Sequence, residues 1–283
     1  EKFFSLTSMP FSIAPDPKFL YMSARHREAL AHLIYGVKNN GLVLLTGEVG
    51  TGKTTICRYL LSDLPDNVET AFIINPKVTE TELLSSICDD LRIPYPQKAT
   101  SKTLVDLLNT HLLETLKEDK RTLVIIDEAQ NLSVDVLEQL RLLTNLETNQ
   151  RKLLQIILLG QPELLNTLSG NSLRQLSQRI TASYHLNALN KKETRQYIAY
   201  RLSVAGAKVN IFQRSAMDRI YRISKGIPRV INLICDRCLL GAFAENQPLI
   251  SPRLVKAASK EILPNRPIYS HMAGTILYCI AGL

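Results

Sequence analysis

The sequence predicts a three-layer α/β fold, a parallel sheet covered on both faces by helices, followed by a small all-helical domain. Three observations carry this reading. Short apolar runs recur at 42–45, 68–74, 122–126 and 153–159 with helical patterns between them, as expected of strands buried on both faces. The first run breaks into Gly47-Glu48-Val49-Gly50-Thr51-Gly52-Lys53-Thr54 and then a helix-forming stretch. That is G-x-x-x-x-G-K-[ST] in the strand–loop–helix setting a phosphate-binding loop requires. From about Asn187 to Ile262 the pattern is helical only.

Taken in order, residues 1–24 hold Pro10, Pro15 and Pro17 among Phe3, Phe4, Phe11, Phe19 and Tyr21, and read as an extended, aromatic-anchored strap. Such a strap either borders a nucleotide base or simply packs. A helix follows from Ser23 to about Asn39, then the strand at 42–45, the glycine-rich loop and a helix over 55–64. Thr79 and Glu82 form a capping-box pattern ahead of a helix over 79–91, and Pro94 and Pro96 mark a loop. Over 101–119, Leu104, Leu107, Leu108, Leu112 and Leu116 make one apolar helix face. Helix is expected again over 132–147, with Arg174 and Arg179 on a further helix before the last core strand. Behind the core, Asn190-x-x-Glu193 caps a helix ending near Gly206, and helices are expected over 213–224, 228–244 and 252–262. The division expected is a strap at 1–24, a core at 25–188, a helical lid at 189–263 and a tail at 264–283.

Composition narrows the class. The 283 residues are 45% hydrophobic and 21% charged, which excludes a disordered or fibrous chain and leaves room for a substantial core. A net charge of +8 would tolerate nucleic acid or anionic lipid, but no block of like charge concentrates it. Five cysteines do not make a disulfide scaffold, and Cys235 and Cys238, inside an apolar helical run, read as core rather than a metal or redox pair.

The chemistry follows from the loop. Gly47, Gly50 and Gly52 let backbone N–H groups turn inward onto an anion, with Glu48, Val49, Thr51 and Thr55 completing the cradle. Lys53 reaches the β- and γ-phosphates, and Thr54 with Asp127 holds Mg²⁺. Asp127 and Glu128 follow an apolar strand, at the strand end where open α/β sheets bind ligands, and Glu128 would polarise the attacking water. Gln161, after the next strand, is the candidate sensor of the γ-phosphate or water. One of Arg174 and Arg179 would reach a neighbouring subunit's nucleotide, and Arg229, aimed by Gly226-Ile227-Pro228, would close from the lid.

Phosphate loop, Asp-Glu, polar residue, paired arginines and a lid with Gly-x-Pro-Arg together resemble the AAA+ type of P-loop NTPase. PFSIAPDPKFLY (10–21), LTGEVGTGKTT (45–55), IIDEAQNLS (125–133), LEQLRLLTNLET (137–148), LLGQPEL (158–164), LRQLSQRI (173–180) and GIPRVINLICDR (226–237) resemble, more narrowly, the ExeA/GspA-type ATPases of general (type II) secretion. The resemblance covers residues 3 to about 262 and implies an ATPase with ATP and Mg²⁺ at the cytoplasmic face of a bacterial inner membrane. It further implies self-assembly, as in a ring, and an ExeB/GspB-type membrane partner, the pair assisting the outer-membrane secretin through the cell wall. Peptidoglycan contact is expected only through a region outside these 283 residues. The stretch 268–283, apolar from Met272 and preceded by Lys256, Lys260 and Arg266, reads as the opening of a spanning helix, short of the ~20 residues a bilayer needs, or as a tail packed on the lid. Two other readings compete. A DNA-binding AAA+ ATPase of the transposition target-selection type would use the positive charge, and salt-sensitive DNA binding would mark it; the membrane-like tail argues against it. A nucleotide-gated scaffold that scarcely hydrolyses would have no need of Glu128.

Overall fold

The computed structural model describes residues 2–14, 16–38, 41–74, 76–148 and 152–262. The core runs α1 (Ala24–Lys38), β1 (Leu42–Thr46), α2 (Lys53–Ser62), β2 (Val68–Ile73), α3 (Glu80–Asp90), α4 (Ser101–Lys117), β3 (Arg121–Ile126), α5 (Val134–Leu143), β4 (Leu154–Gly160), α6 (Glu163–Leu168), α7 (Arg174–Ser177) and β5 (Ile180–His185). Behind it come α8 (Lys191–Val204), α9 (Arg214–Ser224), α10 (Pro228–Ala244) and α11 (Pro252–Ile262).

The five strands form one sheet in the order β2-β3-β4-β1-β5, all parallel. Strand alternation sorts their side chains into two cores. Leu42, Leu44, Val124, Ile126, Ile156 and Leu158 face α3, α4 and α5, whereas Val43, Leu45, Leu123, Ile125, Ile157 and Leu159 face α1 and α2. Leu104, Leu108 and Leu112 of α4 are buried as the heptad-like spacing predicts, with Leu107 and Leu116 half-buried beside them. β5, an edge strand, alternates half-buried or buried residues with exposed ones, Ala182 alone being buried, and its sequence gives no apolar run.

Two helices depart from their predicted bounds. α2 starts at Lys53, inside the glycine-rich motif, because Gly52 turns left-handed (φ +106°) as its N-cap. α5 is shorter than the predicted 132–147: Ser133 caps its start by accepting from Val136 N, and the Thr144 hydroxyl donates to Arg141 O at its end.

The lid has its own core, and the strap is part of it. Phe4, Leu6, Phe11 and Phe19 bury themselves against Tyr197, Ile198, Ile231, Ile234 and Cys235 of the lid helices. Thr7 donates through both its amide and hydroxyl to Ala205 O, and Tyr21 donates to Gln196 Oε1 at 2.9 Å. The aromatics that mark the strap in the sequence are thus lid-packing groups. Cys235 and Cys238 lie in the same core, where burial raises the Cys235 thiol pKa and pushes that of Cys238 up to about 12. The 264–283 tail, with Cys279, lies outside the described residues. Among the described residues no helix is long and apolar enough to cross a membrane.

Candidate active site

Phosphate loop, acidic pair and Gln161 all stand at the carboxyl edge of the sheet, because β1, β4 and β3 are neighbours in that order. The loop leaves β1 after Thr46, Asp127 and Glu128 leave β3, and Gln161 leaves β4 between them. Residues 49–55 line a cleft with Glu128 on one side and Pro228, Arg229 and Asn232 of the lid on another. The strap closes a third side through Ser12, Ile13, Ala14, Asp16, Phe19, Leu20 and Tyr21.

Lys53 is buried, and its ammonium donates to Gly47 O at 2.7 Å and Glu48 O at 3.2 Å. Gly47 and Glu48 therefore act through their carbonyls, behind the cleft wall. Desolvation lowers the pKa of Lys53, opposed by the charges of Glu128, Asp127, Glu48 and Glu163. Gly50 (φ +80°) is irreplaceable on steric grounds: a Cβ there would lie 2.5 Å from that of Arg229, whose amide donates to Gly50 O at 3.2 Å. The N-terminus of α10 thus rests directly on the phosphate loop, with the exposed Arg229 side chain in the cleft.

The Thr54 hydroxyl donates to Asp127 Oδ2 at 2.6 Å, and the other carboxylate oxygen accepts from Glu128 N at 2.9 Å. A hydroxyl and a buried carboxylate side by side are hard oxygen donors, and two such ligands fit Mg²⁺, which keeps waters and substrate phosphates for the rest of its octahedron. Glu128 itself adopts the left-handed conformation (φ 54°, ψ 37°), a strained state for a non-glycine residue that turns its side chain off the end of β3. Its Oε2 accepts from Gln130 Nε2 at 2.6 Å and from Gln161 Nε2 at 3.2 Å. Gln130 in turn accepts from the amide of Gln161 at 3.0 Å through its Oε1. Gln161 therefore contacts the acid, and two glutamines hold one carboxylate.

Arg174 and Arg179 are not brought to the cleft. Arg174 is exposed at the start of α7, and Arg179, past its end, donates weakly to Thr144 O at 3.4 Å. Arg179 precedes Ile180, which pairs with Leu42 at the amino end of β1, whereas the loop follows the other end. At about 3.3 Å per residue that is roughly 13 Å of strand, the wrong edge for serving the chain's own nucleotide.

Three contributors escaped the sequence reading. Gln130 sits two residues past Glu128, where only the tight turn brings it back to the carboxylate. His26, at the foot of α1, is buried against the loop, its Nδ1 2.7 Å from Ser23 Oγ and its Nε2 3.3 Å from where a Cβ on Gly52 would stand. Arg201, buried in the lid, reaches the strap carbonyls of Pro10 and Ser12. The Ser-x-x-His spacing at 23–26 is a helix-start signal that could have flagged the second; the first depends on the backbone turn at Glu128 and the third on long-range packing.

The AAA domain family matches residues 37–168. General secretion pathway protein A of Aeromonas hydrophila is 53% identical over 282 residues, which are 99% of this chain and 51% of that protein, so the chain spans about half the length of this curated relative. Cdc6p of Pyrobaculum aerophilum superposes with a TM-score of 0.69 at 21% identity, covering 94% of this chain and 72% of that one. The Drosophila ORC bound to DNA gives 0.66 at 19% identity, covering 89% and 64%, and the Thermotoga maritima RuvB Holliday junction branch migration motor gives 0.54 at 18%, covering 84% and 68%. These three likenesses concern the fold alone.

Proposed function

We propose that this chain is an AAA-domain ATPase of the general secretion pathway protein A type, hydrolysing ATP with Mg²⁺ to drive assembly work in the secretion envelope. The observation that carries the reading is the geometry around Glu128: an acid turned off β3, held by Gln130 and Gln161, beside the Thr54–Asp127 pair. Lys53 exchanges its bonds to Gly47 O and Glu48 O for the β- and γ-phosphate oxygens. Glu128 accepts the proton of the attacking water, and its two glutamine donors fix which oxygen is free to do so. Thr54 and Asp127 would hold Mg²⁺, which when bound would neutralise charge on the phosphates. Arg229 adds a cation from the lid, so hydrolysis and lid position are coupled through one side chain.

The relative's name supports the cellular setting. There the chain works at the cytoplasmic face of the inner membrane as a homo-oligomer, with an ExeB/GspB-type membrane partner, assisting the secretin through peptidoglycan. Arg174 or Arg179 then completes a neighbour's site. Steady-state ATPase and ATP-binding measurements on Glu128→Gln test the hydrolytic assignment. Turnover should fall by about 10²- to 10⁴-fold with ATP affinity retained; undiminished turnover would remove Glu128 from the reaction.

A further inference from the structure

We propose that Arg201 is a positioning residue for the nucleobase, fastening the strap so that Ser12, Ile13 and Ala14 form the cleft wall against which the base rests. The inference rests on the reading of this cleft as a nucleotide site.

Arg201 is 6% exposed on α8 and makes contacts in three directions. Its guanidinium donates to Pro10 O, to Ser12 O at 3.2 Å and to the Tyr197 hydroxyl at 2.9 Å, and lies 4.8 Å over the Phe19 ring. Tyr197 passes the arrangement on, donating to Asn232 Oδ1 at 2.8 Å, and Asn232 Nδ2 returns to Ser12 O at 3.4 Å. Side chains from α8 and α10 thus converge on one strap carbonyl, at the residue where the cleft wall begins.

The strap needs this because it has no ladder of its own. Between Thr7 and Asp16, the hydrogen bonds that its described residues receive from the rest of the molecule come from Arg201 and Asn232. A buried guanidinium is a costly way to fill a core that methionine would fill as well. What methionine cannot do is hold two carbonyls, two residues apart, in a fixed register, which the planar fork of arginine does. The phosphates are held separately, by the loop and Lys53. Loosening the strap should therefore cost contacts to the base and spare those to the phosphates.

The test compares ATP with inorganic triphosphate, which presents phosphates and no base, by calorimetric titration of wild type, Arg201→Met, Arg201→Lys and Ile13→Asp. Arg201→Met should weaken ATP about tenfold and raise the KM with kcat within about twofold, while triphosphate affinity stays unchanged. Arg201→Lys, one point donor for two carbonyls, should fall between. Ile13, 57% exposed on the wall, is dispensable for packing, so Ile13→Asp should give the same signature even if Arg201→Met fails to fold. Equal losses for ATP and triphosphate in Arg201→Met, or ATP affinity unaltered in both Arg201→Met and Ile13→Asp, would overturn the proposal. Wild-type protein that binds triphosphate as well as ATP would reject the base wall and keep the phosphate site; wild-type protein that binds neither would instead sink the nucleotide reading itself.

Discussion

His26 is held neutral at the root of the phosphate loop. Desolvation is the larger influence and lowers its pKa below the usual 6.5; a hydrogen bond to the Thr51 backbone and the charge of Glu193 oppose it. The sign of the pH effect follows. Below about pH 6.5 the unfolded chain takes up a proton on this imidazole that the folded chain refuses, so stability drains as pH falls towards the folded-state pKa. Melting temperatures between pH 7.5 and 5.5 should therefore drop more steeply for wild type than for His26→Gln, which cannot titrate. Parallel curves would show that His26 has no such linkage. Glu128 makes the complementary point. Its identity as the acid after Asp127 was plain in the sequence, but its left-handed backbone and its two glutamine donors were not, since a φ of 54° is imposed by the turn and not by any residue preference.

At the scale of elements, local spacing was a reliable guide wherever the stabilising contact is itself local. Thr79 with Glu82 and Asn190 with Glu193 are both complete capping boxes, the first opening α3 and the second opening the lid. Replacing Thr79 by Ala removes an acceptor for Glu82 N and should cost about 1 kcal/mol in chemical denaturation at unchanged m-value. A cost near zero would mean that water caps the helix as well as the hydroxyl does. The bounds of β5 and the true end of α5 were illegible for the converse reason. An edge strand buries one side only, and the stop of α5 depends on where Leu146 must receive Leu153 for β4 to enter the sheet. Gly226 shows the same dependence. It reads as a turn glycine, yet the need comes from Leu189, whose carbonyl oxygen would lie 1.8 Å from a Cβ at that site (φ +79°).

For the whole molecule, the cleft is a seam between the sheet edge and a strap–lid unit, and Arg174 and Arg179 lie at the far edge of the sheet from it. If one of the pair completes a neighbour's site, as proposed, the chain must turn over faster as it assembles. ATPase rate per chain should rise cooperatively with protein concentration, and the rise should vanish in either Arg174→Ala or Arg179→Ala but persist in the other. A flat rate that neither substitution alters would leave both arginines to the surface. The +8 net charge takes no part in this argument, because nothing in the sequence concentrates it on one face.

By itself the sequence determined the layer order, the phosphate loop, Asp127 and Glu128, and the helical character of the lid. These follow from hydrophobic periodicity and from a motif whose chemistry is contained in consecutive residues. Only the tertiary structure decided that the strap belongs to the lid, that Gln130 and Gln161 share one carboxylate, that His26 braces the loop and that Arg201 ties α8 to Pro10 and Ser12. Arg201 and Pro10 stand 191 positions apart in the chain, and no local propensity links residues at that distance; packing alone brings them together.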